Sequence, residues 1–240
     1  MINFNKLSLV KDLYYFLDKD IIKVVNSYHD PIMTKKILSN VYAWNEEDNI
    51  HLNTLLKGTD HHRDFRDNRG YAFNIILNWL VEDLIYEVLL NDFNIQKVGS
   101  DNKRELLQGL KVTSEPDLLI NENPKIWIEV IANYPINNFS SFWEKEFYFD
   151  LRDNKFKSLL EKSLEDKVII LGVVVKKKSF FIKTISKNQE FRSIKKEANF
   201  GYKSTTRIYF EDNKINLIDS KNLLDTIRNL IGKLKDEPKY

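Results

Sequence analysis

The run Val168-Ile169-Ile170-Leu171-Gly172-Val173-Val174-Val175 constrains the fold more than any other stretch of this chain. Eight residues with no polar side chain, most of them β-branched, leave no face for water, so the segment reads as a strand buried on both sides. Such a strand belongs inside a sheet with helices on its faces.

The neighbouring sequence supplies the other layers. Phe73, Ile76, Leu77, Leu80, Val81, Leu84, Val88 and Leu89 form one broad apolar face and predict a helix from Tyr71 to Asn91. A charged helix is expected from Phe142 to Leu164 and an amphipathic one from Asn222 to Leu234. Strands are expected at 94–98, 117–120, 125–131, 180–185 and 206–210. The turn Asn121-Glu122-Asn123-Pro124 between two β-rich runs predicts a hairpin. Residues 1–56 read as a helical region, with Leu9, Leu13, Phe16, Leu17, Ile21 and Val24 at helical spacing and a break at Asp30-Pro31. Residues 57–70 read as a polar loop. The expected fold is α/β, a central mixed β-sheet flanked by helices, divided into an N-terminal helical region (1–56) and a main domain (57–240).

Composition narrows the chemistry. A chain of 240 residues, 42% hydrophobic and 12% aromatic, can bury a substantial core, which excludes disorder. It has no cysteine, so disulfides, thiolate zinc sites and cysteine nucleophiles are all excluded, and a reducing cytosol is the expected setting. The first residues lack the apolar run of a signal peptide, and no window nears the ~20 apolar residues of a membrane helix. A cytoplasmic protein with no membrane partner is therefore expected. Net charge is only +2, yet Lys176 to Arg207 holds eight Lys and two Arg against Glu190 and Glu197. Such clustering suits a polyanion, though a solvated surface has the same look.

The middle of the chain carries the chemistry. Asp117 opens one expected strand of the hairpin, and Glu129 lies within Ile126-Trp127-Ile128-Glu129-Val130-Ile131. A carboxylate inside so apolar a strand is costly unless something pairs with it. Two carboxylates on adjacent strands can meet at one point. Two carboxylates, completed by water and a phosphate oxygen, are what Mg²⁺ takes in phosphodiester hydrolysis.

With these residues in view, the stretch from Arg69 to Val175 resembles the PD-(D/E)xK nuclease superfamily, which includes most type II restriction endonucleases. The likeness rests on Arg69-Gly70-Tyr71-Ala72-Phe73 opening a long helix, Gly99-Ser100-Asp101-Asn102-Lys103-Arg104-Glu105, Ser114-Glu115-Pro116-Asp117 and Ile128-Glu129-Val130. It covers a little under half of the chain. It implies a mixed sheet flanked by helices, Mg²⁺ dependence, cleavage of double-stranded DNA leaving a 5′ phosphate, and metal ligands at Asp117, Glu129 and the Val130 carbonyl.

One departure stands out. The family's lysine falls two residues after the second acid, where this chain has Ile131. Lys155 is the preferred substitute, Lys145 the second, both expected on the helix that follows. Asn133, on the strand face of Glu129, is a third option for orienting water. Loss of catalysis is the remaining reading. The family's helix carboxylate is also missing from its usual place, where Asn74 follows Phe73. Glu82 and Asp83 lie further along and could serve instead, although they read as exposed helix charges. His61-His62 lacks partners at zinc-binding spacing.

For DNA contact the sequence offers Arg63, Arg66 and Arg69 in the polar loop, and Lys195, Lys196, Lys203 and Arg207 in the basic segment. The expected function is a sequence-specific type II restriction endonuclease using Mg²⁺ as a homodimer, because cutting two antiparallel strands symmetrically takes two sites related by a twofold axis. The alternatives are a repair or junction-resolving nuclease of the same fold, and a non-catalytic DNA-binding protein that keeps it.

Overall fold

The computed structural model describes residues 20–39, 44–57, 67–99, 101–105, 114–133, 148–186, 191–198, 201–210 and 215–236. Among the described residues, three short helices come first, α1 (Ile21–Asn26), α2 (Pro31–Ser39) and α3 (Glu46–Leu55), followed by the long α4 (Asn68–Leu89). Asp20 caps α1 by accepting from the Ile22 and Lys23 amides, and Pro31 opens α2 at the expected break. Asn45 and Asp48 form a capping box on α3. Asp67 caps α4 by accepting from Gly70 N at 2.7 Å, which starts that helix three residues earlier than its apolar face alone indicates.

The strands β1 (Ile95–Lys97), β2 (Leu118–Ile120), β3 (Ile126–Asn133), β5 (Lys167–Val174), β6 (Ser179–Ile185) and β9 (Ile218–Asp219) form a six-stranded sheet in the order β1-β2-β3-β5-β6-β9. β3 and β5 are parallel, and the other neighbours are antiparallel. The hairpin expected around residues 121–124 is present as β2–β3. The run at 168–175 is β5, placed fourth in the order and buried at every residue from Val168 to Val174. The chain is thus α/β, with a mixed sheet flanked by helices.

A second sheet was not expected. Strands β4 (Tyr148–Arg152), β7 (Phe191–Ala198) and β8 (Gly201–Tyr209) form an antiparallel sheet in the order β4-β8-β7. This corrects the expected helix from Phe142 to Leu164. Its first described part, 148–152, is a strand, and the helix α5 runs only over Asp153–Lys162. The reason is the alternation Tyr148-Phe149-Asp150-Leu151-Arg152, which sends Phe149 and Leu151 to one face and pairs them with Ile208 and Thr206 of β8.

The main sheet divides two cores by the parity of its residues. Ile126, Ile128, Val130, Ile169, Leu171 and Val173 face α1–α4 and the closing helix α6 (Leu223–Asp236), which contributes Leu223, Ile227 and Ile231. Val168 and Ile170 face the other way, against Phe156 and Leu159 of α5 and Phe149 and Ile208 of the small sheet. Gly172 lies on this second face. A Cβ there would come within 2.0 Å of the Phe181 ring, its register partner on β6, so the missing side chain makes room for that ring.

Candidate metal centre and nucleic-acid interface

Asp117 and Glu129 are neighbours at the end of the β2–β3 hairpin. The register pairs Leu118 with Ile128, and Asp117, the residue before β2, donates its N–H to the same Ile128 O at 3.1 Å, which sets it beside the position of Glu129. Glu129 is on the side of α5, and the Asp117 carboxylate is near enough to act on it and on Lys155.

The end of β2 holds Asp117 tightly. Its carbonyl accepts from Val98 N and Gly99 N, and its Oδ2 accepts from Val130 N at 2.7 Å. That bond replaces the ladder bond lost where β2 stops. The Val130 carbonyl lies on the same strand edge, because both polar groups of a residue point one way in such a ladder.

Lys155 completes the group. It sits in the first turn of α5, the end where the helix dipole disfavours a cation. Its partners outweigh that: Nζ donates to Glu129 Oε2 at 2.9 Å and to the Glu115 carbonyl at 2.7 Å. Burial of Phe156 and Leu159 on the same helix fixes its approach. A second strap runs from Lys162, which pairs with Glu115 at 2.7 Å and lies 3.8 Å from the centre of the Trp127 ring. Two of the three N–H donors of Lys155 are thereby engaged, and the third has no acceptor among the described residues.

Glu82 and Asp83 are buried, not exposed as their place on α4 had indicated. Arg104 explains how the interior tolerates them. Its guanidinium meets Glu82 at 2.9 Å, grips both oxygens of Asp83 through Nε at 3.1 and 3.2 Å, and reaches Asp101 at 3.4 Å. Lys97 adds a contact to Asp83 at 2.8 Å, and the Trp79 indole donates to Asp101 at 2.6 Å. The sequence signal for Glu82 was the apolar surround, Leu80, Val81, Leu84 and Ile85, which marks a helix buried nearly all round. For Arg104 there was none, since its approach depends on a left-handed backbone (φ 51°).

The electrostatics show what the cluster lacks. Burial pushes Asp117 up to about 6 despite the opposing pull of Lys155 and the Val130 amide. Burial, then the charge of Asp117, hold both Glu129 and Glu82 well above the ordinary carboxylate range. Lys155 is raised: burial opposes its charge, but Glu129 and Asp117 outweigh it. Among the described residues, five carboxylates (Glu82, Asp83, Asp101, Asp117, Glu129) face three cations (Lys97, Arg104, Lys155), which leaves a deficit of two positive charges when all are ionised. A divalent ion would fill it. All-oxygen donors suit Mg²⁺, which binds through one or two carboxylates and completes its shell with water and phosphate. Among the described residues, no three His, Asp or Glu side chains are gathered into a full ligand set, so an ion here would rely on that completion.

The other sequence candidates are distributed as follows. Asn133 ends β3 on the odd face shared by Glu129, and its side chain lies outside the described residues. Lys145, Arg63, Arg66 and the pair His61-His62 also lie outside them. Arg69 is in the first turn of α4 with its guanidinium 4.4 Å from the Trp44 ring centre.

In the small sheet, Lys196 is the register partner of Lys203, and Arg207 that of Arg192. These four share one face with Arg152 and Asp150. Lys195, paired with Ser204, belongs to the opposite face, the one whose Phe149, Leu151 and Ile208 are buried in the core. The side chains of Asp150, Arg192, Lys195, Lys196 and Lys203 are outside the described residues. Arg207 stacks 3.5 Å from the Tyr148 ring centre.

No protein-family model matches this chain, and no curated protein matches it. Among the described residues, no helix is long and apolar enough to cross a membrane.

Proposed function

We propose that this chain is a Mg²⁺-dependent endonuclease acting on double-stranded DNA, a sequence-specific type II restriction enzyme of the PD-(D/E)xK superfamily that works as a homodimer. The observation that carries the reading is Lys155 donating to Glu129 next to Asp117. Two acids and a lysine, arriving from two strands and the following helix, reproduce the chemistry of the superfamily's signature although Ile131 occupies its usual lysine position.

Asp117, Glu129 and the Val130 carbonyl would hold the ion, which when bound supplies Lewis acidity to a phosphoryl oxygen and makes a nearby water more acidic. The protein does the rest. Val130 N fixes the rotamer of Asp117, so one carboxylate oxygen is committed to the backbone and the other is left for the centre. Glu129 and the Glu115 carbonyl hold the Lys155 ammonium in place. Its third N–H is placed to donate to a phosphate oxygen or to orient the attacking water, and its charge offsets the negative charge that builds up in the transition state. The face with Arg192, Arg207, Lys196, Lys203 and Arg152 suits the DNA backbone. Thr206 Oγ1 donates to Asp153 Oδ1 at 2.7 Å, which ties that sheet to the helix start bearing Lys155.

The test is incubation of the full chain with phage DNA and Mg²⁺. Discrete fragments with 5′ phosphates are expected, and none with EDTA. Nicking confined to junctions or damaged sites would replace the restriction reading with a repair one. Bound but intact DNA would leave only a binding protein.

A further inference from the structure

Arg104 is a buried cation that the chemistry above does not use. Its side chain is 5% exposed, its backbone adopts the left-handed region that non-glycine residues rarely occupy, and its guanidinium spans Glu82, Asp83 and Asp101. Among the described residues Arg104 is one of two with positive φ outside glycine; the other, Lys178, closes a surface turn. A conformation of this kind persists where the surroundings over-determine it. Here the contacts of the guanidinium do so: bidentate to Asp83, single contacts to Glu82 and Asp101, and the Trp79 ring 5.7 Å away.

The consequence concerns how many ions the centre takes. Phosphodiester hydrolysis can use one divalent cation or two, the second needing its own carboxylates near the first. Among the described residues, Glu82 and Asp101 are acids within electrostatic reach of Asp117, and both are engaged by Arg104. Asp83 is engaged by Arg104 and Lys97 together. Among the described residues, Asp117 and Glu129 make no ion pair with Arg104, and Lys155 is the cation they share.

We infer that Arg104 is a built-in substitute for a second cation, so that the centre binds one divalent ion per chain, at Asp117 and Glu129. This rests on the metal-dependent reading above. Arg104 is a positioning residue: it fixes the α4 carboxylates and denies them to a second ion without touching the substrate. A guanidinium cannot be shed at any working pH, so the limit holds under all conditions in which the protein is folded.

Binding of Mn²⁺ to the metal-free full chain, carried into the millimolar range and followed by loss of the free-ion EPR signal, tests this without reference to activity. One ion per wild-type chain is expected, lost in Asp117→Asn. Arg104→Lys, which keeps the charge, is expected to hold one ion. Arg104→Gln, checked for folding by circular dichroism, is expected to hold two. Two ions on the wild type would overturn the inference and leave the nuclease reading standing. One ion on a folded Arg104→Gln would also overturn it, since the arginine would then not set the number. No ion on the wild type would overturn the metal-dependent reading itself, and this inference with it. If Arg104→Gln does not fold, the wild-type count still decides.

Discussion

Lys155 Nζ lies 2.9 Å from Glu129 Oε2, an ion pair that joins the first turn of a helix to a buried strand. Twenty-six positions separate the two residues in the chain. Truncation of the lysine removes the cation that, among the described residues, Asp117 and Glu129 share. Lys155→Met is therefore expected to cut Mg²⁺-dependent plasmid cleavage by roughly 100-fold or more, the scale of losing one charge-stabilising donor. Lys155→Arg is expected to recover part of it. Full activity in Lys155→Met, measured as initial rates of linearisation, would return the missing role to a residue elsewhere.

Asp117→Asn separates function from stability. The amide oxygen can still accept from Val130 N, while the buried negative charge disappears. Cleavage is expected to vanish and DNA binding to persist. In the metal-free protein the variant is expected to melt higher than the wild type by about 2–4 °C, the usual yield of ~1 kcal/mol in a chain of this size. A metal-free melting point below that of the wild type would mean that the ionised acid stabilises the fold.

The same residue sets a pH dependence. In the metal-free protein the Asp117 carboxyl sits at about 6, against an ordinary 3.8. Between those values the folded chain holds a proton that the unfolded chain has released, so stability falls as pH rises through the interval. Glu129 and Glu82, also raised by burial, act in the same direction. Thermal melts of metal-free wild type should therefore lose stability relative to Asp117→Asn from about pH 4 to about pH 6. Mg²⁺ should close the gap, binding more tightly as the protons leave. Parallel curves for the two proteins at every pH would contradict this.

The small sheet makes a prediction that discriminates between neighbouring lysines. Lys196 and Lys203 are register partners on the face that also carries Arg192 and Arg207, and Lys195 is on the other. Replacing Lys196 and Lys203 together by Ala is expected to weaken DNA binding and reduce the salt slope by about two, one per phosphate contact. Lys195→Ala is expected to change the slope little. Equal slopes for the two variants, from binding isotherms across a salt series, would remove the face distinction.

How much of this could be read in the sequence depended on whether the signal was local. The strand at 167–174 was legible because a run with no polar side chain has few other places to go. Glu129 was legible for the complementary reason, as one charge in an otherwise apolar strand. Lys155 could be nominated because a helix returning from β3 to the parallel β5 must cross the sheet face near that acid. The strand at 148–152 was hidden by its shortness and by the charged helix directly after it, and its partner β8 lies some fifty positions away. Glu82 and Asp83 were misread because a helix wheel shows which faces are apolar but not that a distant arginine will neutralise the remaining one. The bend that lets Arg104 reach them follows from a single unusual φ, for which the sequence carries no mark.

The pairing of Leu118 with Ile128 does more than close a hairpin. Sliding one strand past the other by a single residue would part the two acids, and the same slip would turn Leu118 and Ile120 out of the core in which they are wholly enclosed. A misaligned hairpin is thus rejected by folding itself, before any encounter with nucleic acid. Copies that reach the native state carry their reactive groups already in line, and an inactive but well-folded slipped form has no energetic refuge.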